Sequence, residues 1–196
     1  KRNMSKELFS QEFGAEFSVF EGKVWNFQRD LDVGDFKYDP ILPTYCSIDF
    51  GYRMPACIFL QTYWDGEVEH IRIFDSILHK SNIKTEDLIK MIKTKGYPVL
   101  SYYGDPAGSN VQGQTGAGDM EIFRRSGIRI LSTRDKISRN IVNSVAYTRG
   151  FFESADGIRR VHVDERCLDV IEDFEEYRYP EAEDGKPIKE EPLKDG

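Results

Sequence analysis

A mixed α/β sheet with helices on both faces is the fold class the sequence predicts, and three observations predict it. Three β-rich runs crowd into residues 44–77, and helical and strand-like periodicities alternate after them. The chain of 196 residues is 39% hydrophobic and 13% aromatic, enough to bury one core of ordinary size.

The elements follow in order. Residues 5–17 carry Leu8, Phe9, Phe13 and Phe17 near helical spacing, with Ser5 as an N-cap, and predict a lead-in helix. Gly22, Gly34, Pro40 and Pro43 punctuate an irregular connector, so the compact domain starts near Thr44. Strands are expected over 44–51, 56–64 and 68–77, the last two joined at Asp65-Gly66, a two-residue hairpin signal. Leu88, Ile89, Met91 and Ile92 mark a helix over 84–95, and residues 98–103 read as a fourth strand. A glycine-rich loop over 104–118 feeds a helix over 119–125, Gly127 ends it, and 128–132 reads as a fifth strand. A helix over 136–152, a short strand over 159–163 and an amphipathic helix over 165–177 follow. Asp184-Gly185 predicts a C-terminal β-hairpin between 177–179 and 187–189. The order βββαβαβα is also that of the ribonuclease H-like fold.

Composition narrows the function. The longest apolar runs, such as Cys57-Ile58-Phe59-Leu60, fall far short of the roughly 20 residues that cross a bilayer, and the first residues lack the pattern of a signal peptide. No membrane partner or export is expected. Three cysteines without CxxC spacing argue against a disulfide framework and against a zinc site, and fit a reducing cytoplasm. His70, His79 and His162 are scattered singly and read as surface or strand residues. Lys and Arg number 27 against 34 Asp and Glu, a net charge of −7, which weighs against a general nucleic-acid binder. The charge is segregated, however. Arg124, Arg125, Arg129, Arg134, Lys136, Arg139 and Arg149 share residues 124–150 with one acid, Asp135. Of these, Arg124, Arg125, Arg134, Lys136 and Arg139 are candidates for phosphate contacts, the alternative being a solvated helix face that balances the acidic tail.

Two acids stand out. Asp49 sits inside what the pattern makes the buried centre of the first strand, where an unpartnered charge is costly. Asp105 ends the fourth strand before a Pro-Ala-Gly loop whose small residues admit close approach. Taken singly, Asp49 reads also as an acid satisfied by backbone amides, and Asp105 as a turn former before proline. If the two strands are neighbours, the carboxylates converge, and a divalent cation relieves their repulsion.

Thr44-Tyr-Cys-Ser-Ile-Asp49-Phe-Gly51, Tyr103-Gly-Asp105-Pro-Ala-Gly108 and the tail Tyr177-Arg-Tyr179…Asp184-Gly-Lys-Pro-Ile188…Pro192-Leu-Lys-Asp195-Gly196 resemble the C-terminal nuclease domain of the large terminase subunit of tailed bacteriophages. Gln11-Glu12-Phe13…Glu16-Phe17…Glu21-Gly22 resembles the segment joining that nuclease to the packaging ATPase. The resemblance covers nearly the whole chain. It implies residues 1–43 as lead-in helix and connector from an ATPase domain, and 44–196 as a ribonuclease H-like nuclease. It implies an endonuclease that cuts concatemeric viral DNA during packaging, in the cytoplasm of the infected bacterial host. Its partners would be double-stranded DNA, the ATPase domain, the small terminase subunit and the portal. Family members cluster three or more acids around Mg2+ or Mn2+; Asp49 and Asp105 match the first two motifs. The third acid belongs to a D-H-x-x-D-A stretch that would begin where this sequence stops, and Asp195 is its stand-in.

The expected mechanism is two-metal phosphodiester hydrolysis, with Asp49 bridging two ions, Asp105 holding one and Asp195 the other. Hard oxygen ligands favour Mg2+ or Mn2+. No GxxxxGK[ST] occurs, so ATP hydrolysis is not expected here. The competing reading is a catalytically silent ribonuclease H-like module that docks on DNA or the capsid. An actin-like ATPase lobe needs a second lobe, and a kinase reading of Asp49-Phe50-Gly51 lacks the glycine-rich loop, strand lysine and HRD segment.

Overall fold

In the run Thr44–Asp49 every second side chain, Thr44, Cys46 and Ile48, is buried, which fixes one face of a strand against a core. The computed structural model describes residues 23–50, 54–105, 118–132 and 140–180. Its strands are β1 (Val33–Gly34), β2 (Thr44–Asp49), β3 (Ala56–Asp65), β4 (Val68–Ile77), β5 (Val99–Gly104), β6 (Ile130–Leu131) and β7 (Val161–Asp164). Its helices are α1 (Arg29–Asp32), α2 (Thr85–Lys95), α3 (Asp119–Arg125), α4 (Ile141–Phe152) and α5 (Leu168–Glu176). The strands form an open mixed sheet in the order β1-β7-β4-β3-β2-β5-β6.

The chain divides into two compact units, one of residues 34–134 and 162–170, the other of residues 1–33, 135–161 and 171–196. In the first, β2, β3 and β4 form the antiparallel meander that the sequence predicts. The two-residue turn is Gly66-Glu67, one position later than expected, since Asp65 still pairs with Val68. Gly66 takes a φ of +59°, the left-handed value that primed hairpin turns require. β5 returns parallel beside β2, and β6 parallel beside β5. The buried face carries Cys46, Ile48, Cys57, Phe59, Phe74 and Ile77, and α2 and α3 lay Leu88, Ile89, Ile92 and Phe123 on it. Gln61, fully buried among them, donates to the Asp39 carbonyl at 2.7 Å and the Thr44 hydroxyl at 2.9 Å and accepts from the Arg72 guanidinium at 2.9 Å. That network ties residues 39–44 to the sheet at a site where an unmade hydrogen bond would be expensive.

The other unit is held by aromatic packing. Phe152 meets Phe174 edge to face at 5.1 Å and Phe27 at 6.1 Å between ring centroids. The Asp32 carboxylate, fully buried, is clamped by Arg159, whose Nε donates at 2.6 Å. Arg149 spends its charge locally, donating to the Val24 carbonyl at 2.8 Å and the Tyr179 hydroxyl at 3.0 Å.

Several elements differ from expectation. The connector holds one helical turn and the two-residue strand β1, both too short for a periodicity to show. β6 has two residues rather than five. α5 starts at Leu168, not at 165, because the Asp164 carboxylate accepts from the Arg166 amide at 3.0 Å and turns the chain first. α4 starts at Ile141 behind Asn140, whose side chain accepts from the Asn143 amide at 3.2 Å. The expected lead-in helix, the body of the glycine-rich loop and most of the C-terminal hairpin lie outside the described residues.

Candidate metal centre and nucleic-acid interface

Cβ atoms alternate across a strand, so Asp49 lies on the face of β2 opposite Cys46 and Ile48. It closes its strand, paired with Ala56 of β3, and it is exposed. This corrects the expectation of a carboxylate in a buried strand centre: the ladder ends at Asp49 and its side chain points away from the core. On β5 the same alternation puts Tyr103 and Asp105 on one face and Tyr102 and Gly104 on the other.

The register joins the two acids. Ser47 pairs with Tyr103 and Ile48 with Gly104, so the next positions in each parallel strand are Asp49 and Asp105. Neighbouring strands run about 4.8 Å apart. Both acids therefore follow the last paired residues at the same end of the two neighbouring strands. A packing contact fixes that arrangement from behind. A Cβ on Gly104 would lie 2.7 Å from the Phe50 ring and 3.0 Å from Ile130, so only glycine admits them. Phe50 in turn meets Phe123 of α3 edge to face at 5.8 Å. The residue after Asp49 thus rests on the residue before Asp105.

An open cleft of about 450 Å³ adjoins Asp105, lined also by Ser47, Tyr103, Leu131 and Ser132 among others. Adjacent carboxylates repel unless a cation lies between them, and oxygen donors of this hardness suit Mg2+ or Mn2+. The donor set present fits such an ion. Among the described residues no three His, Cys, Asp or Glu side chains gather into a metal-holding group, and Asp195 lies outside them.

The candidate phosphate contacts divide. Arg124 and Arg125 are exposed on α3, and both engage Glu121, at 2.7 Å and 2.9 Å. These two bonds hold the Glu121 carboxyl down at about 2. Arg134, Lys136 and Arg139 lie outside the described residues. Sequence reasoning missed one pair altogether: His70 and His162 stand 3.0 Å apart between ring nitrogens, stacked between Tyr63 and Phe36. They sit on β4 and β7, and nothing in their spacing along the chain signals that neighbourhood.

Comparison with solved structures assigns the chain a class: it has the fold of the nuclease domains of phage large terminases, as the resemblance in its motifs implied. The large terminase of a thermophilic bacteriophage superimposes with a TM-score of 0.66 over 91% of this chain and 43% of that one, at 14% identity. The P22 large terminase nuclease domain gives 0.62 over 83% and 82%, and the nuclease domain of g2p, the large terminase of bacteriophage SPP1, with bound Mn, gives 0.60 over 88% and 89%, each at 14% identity. In sequence, the large terminase subunit of Escherichia phage T5 is 34% identical over 80 residues, which take in 36% of this chain and 18% of that protein. The chain spans less than a fifth of that relative's length. No protein-family model matches it. No helix among the described residues is long and apolar enough to cross a membrane.

Proposed function

We propose that the chain is a divalent-metal-dependent endodeoxyribonuclease that cuts concatemeric viral DNA during genome packaging. The observation that supports the reading is the parallel register of β2 and β5, whose last pair, Ile48 with Gly104, immediately precedes Asp49 and Asp105 in the two chains. The fold shared with three terminase nucleases, one of them with bound Mn, supports it.

In this reading Asp49, Asp105 and Asp195 would hold the divalent metal, Asp49 as the central ligand and Asp105 and Asp195 as its partners. Mg2+ or Mn2+ bound there would lower the pKa of a water so that the hydroxide it yields could attack phosphorus, and would supply positive charge to the leaving 3′ oxygen. The carboxylates themselves orient that centre on a rigid strand end, and the Phe50–Gly104 contact keeps them in register. Arg134, Lys136 and Arg139, with Arg124 and Arg125, neutralise phosphates of the bound duplex. Residues 1–43 connect the nuclease, residues 44–196, to an ATPase domain. The ATPase domain, the small subunit and the portal are partners in the full assembly, in the cytoplasm of an infected bacterium.

Nicking of supercoiled plasmid tests the reading. Wild type with Mn2+ cuts and EDTA stops it; Asp49→Ala and Asp105→Ala do not cut, while their unfolding free energies stay within about 0.5 kcal/mol because both sites are exposed. Cutting in EDTA, or by Asp49→Ala, defeats the nuclease reading. Wild type that binds DNA yet leaves it intact in Mn2+ establishes the silent docking module instead.

A further inference from the structure

Two residues back along each strand from the acids runs a second row on the same face. Ser47 of β2 pairs with Tyr103 of β5, and Tyr103 with Leu131 of β6. Tyr103 is 44% exposed and Leu131 38%, both large for apolar groups in a sheet, and both line the cleft beside Asp105. Tyr45, a further two residues back on β2, leans on Tyr103 with ring centroids 6.2 Å apart and 47° between planes. The row is thus a supported aromatic shelf. It lies about 6.6 Å from the carboxylates, two residues of strand rise, which is close to the length of one nucleotide along a DNA backbone.

We infer that Tyr103, backed by Tyr45 and flanked by Leu131, stacks on the base of an unpaired nucleotide next to the phosphodiester that the proposed nuclease would cut at Asp49 and Asp105. The inference rests on the nuclease reading and adds a substrate class to it: a strand locally out of its duplex. The chemistry of the shelf selects this occupant. Phosphates are drawn to cations, and the shelf offers an aromatic ring, a leucine and a serine. In a duplex the base faces are covered by their neighbours, so a π-surface one nucleotide from the cut meets a base face only when that base has left the stack. Stacking of this kind tolerates any base.

Fluorescence anisotropy with Ca2+, which leaves the strand uncut, tests the inference on the intact chain. The probes are a fluorescein-labelled oligothymidylate single strand and a blunt duplex of equal length. Tyr103→Ser weakens single-strand binding about 5- to 150-fold, the range of one missing base stack, Tyr103→Phe keeps it within about twofold, and duplex binding by both stays within about twofold. Single-strand binding by Tyr103→Ser within about twofold of wild type overturns the inference, and so does an equal loss on the duplex. Wild type that is dimeric and turns monomeric on Tyr103→Ser overturns it also, since the shelf then seats a second copy. Plasmid nicking by Asp49→Ala reports on the nuclease reading separately.

Discussion

At Gly104 one absent methyl group decides how two strand ends meet. An alanine there would drive its Cβ into the Phe50 ring, which is wedged between Gly104 and Phe123. Gly104→Ala is expected to cost about 1–3 kcal/mol of stability, the usual range for overpacking, measured by denaturant unfolding. It is also expected to weaken Mn2+ binding by calorimetry if relief of the clash moves the backbone that Phe50 shares with Asp49. Unchanged stability would mean that the Phe50 ring does not hold the strand ends together. The acids themselves stand out in the sequence, Asp105 as a strand-end carboxylate before proline and Asp49 as an acid within a strand-forming run. The exposure of Asp49 is not legible there, since the run of strand-forming residues continues past it. Nor is the Phe50 contact, which joins residues far apart in the chain and leaves no local pattern.

Among the elements, the turn from β7 into α5 carries the clearest dependence on pH. Asp164 is fully buried, which by itself raises a carboxyl; the Arg166 side chain at 2.6 Å, its amide and the Phe36 amide outweigh that and hold the group below its ordinary value. A carboxyl depressed in the folded state adds stability that is present above the unfolded carboxylate pKa of about 3.9 and is lost as pH falls through the folded value. Melting temperature is therefore expected to drop below about pH 4, and Asp164→Asn to lose stability at pH 7 and to flatten that acid drop. An equally steep drop in the variant would assign it elsewhere. The three-strand meander, α2 and α3 can be read directly, the first two from a period or a hairpin signal and α3 from the glycine-rich loop before it and Gly127 after it. β1 and the start of α5 cannot: the former spans two residues and pairs across the chain, and the latter is set by a side-chain turn rather than by helical periodicity.

For the molecule as a whole the question the proposed function raises is how a chain of net charge −7 would hold DNA. The proposed function answers it by segregation of charge: the strand-end acids are proposed to take cations, and the basic segment to take phosphates. Arg149 of that segment is committed to Val24 and Tyr179, and Arg124 and Arg125 to Glu121, a set of attachments that composition conceals. The latter two are exposed pairs that salt screens and phosphate can replace. Affinity for duplex DNA is expected to fall linearly with the logarithm of salt concentration. Replacing Arg134, Lys136 and Arg139 by alanine should lower the slope by about three, one for each phosphate left without its cation. An unaltered slope would place the phosphate-binding role on other residues. One proposed arrangement matters above the rest, a divalent ion shared by Asp49 and Asp105. Anomalous diffraction from a crystal soaked in Mn2+ tests it most directly: a Mn2+ peak within ligand distance of both carboxylates is the result expected. A soaked crystal with no peak between them, or with Mn2+ bound only elsewhere, contradicts it.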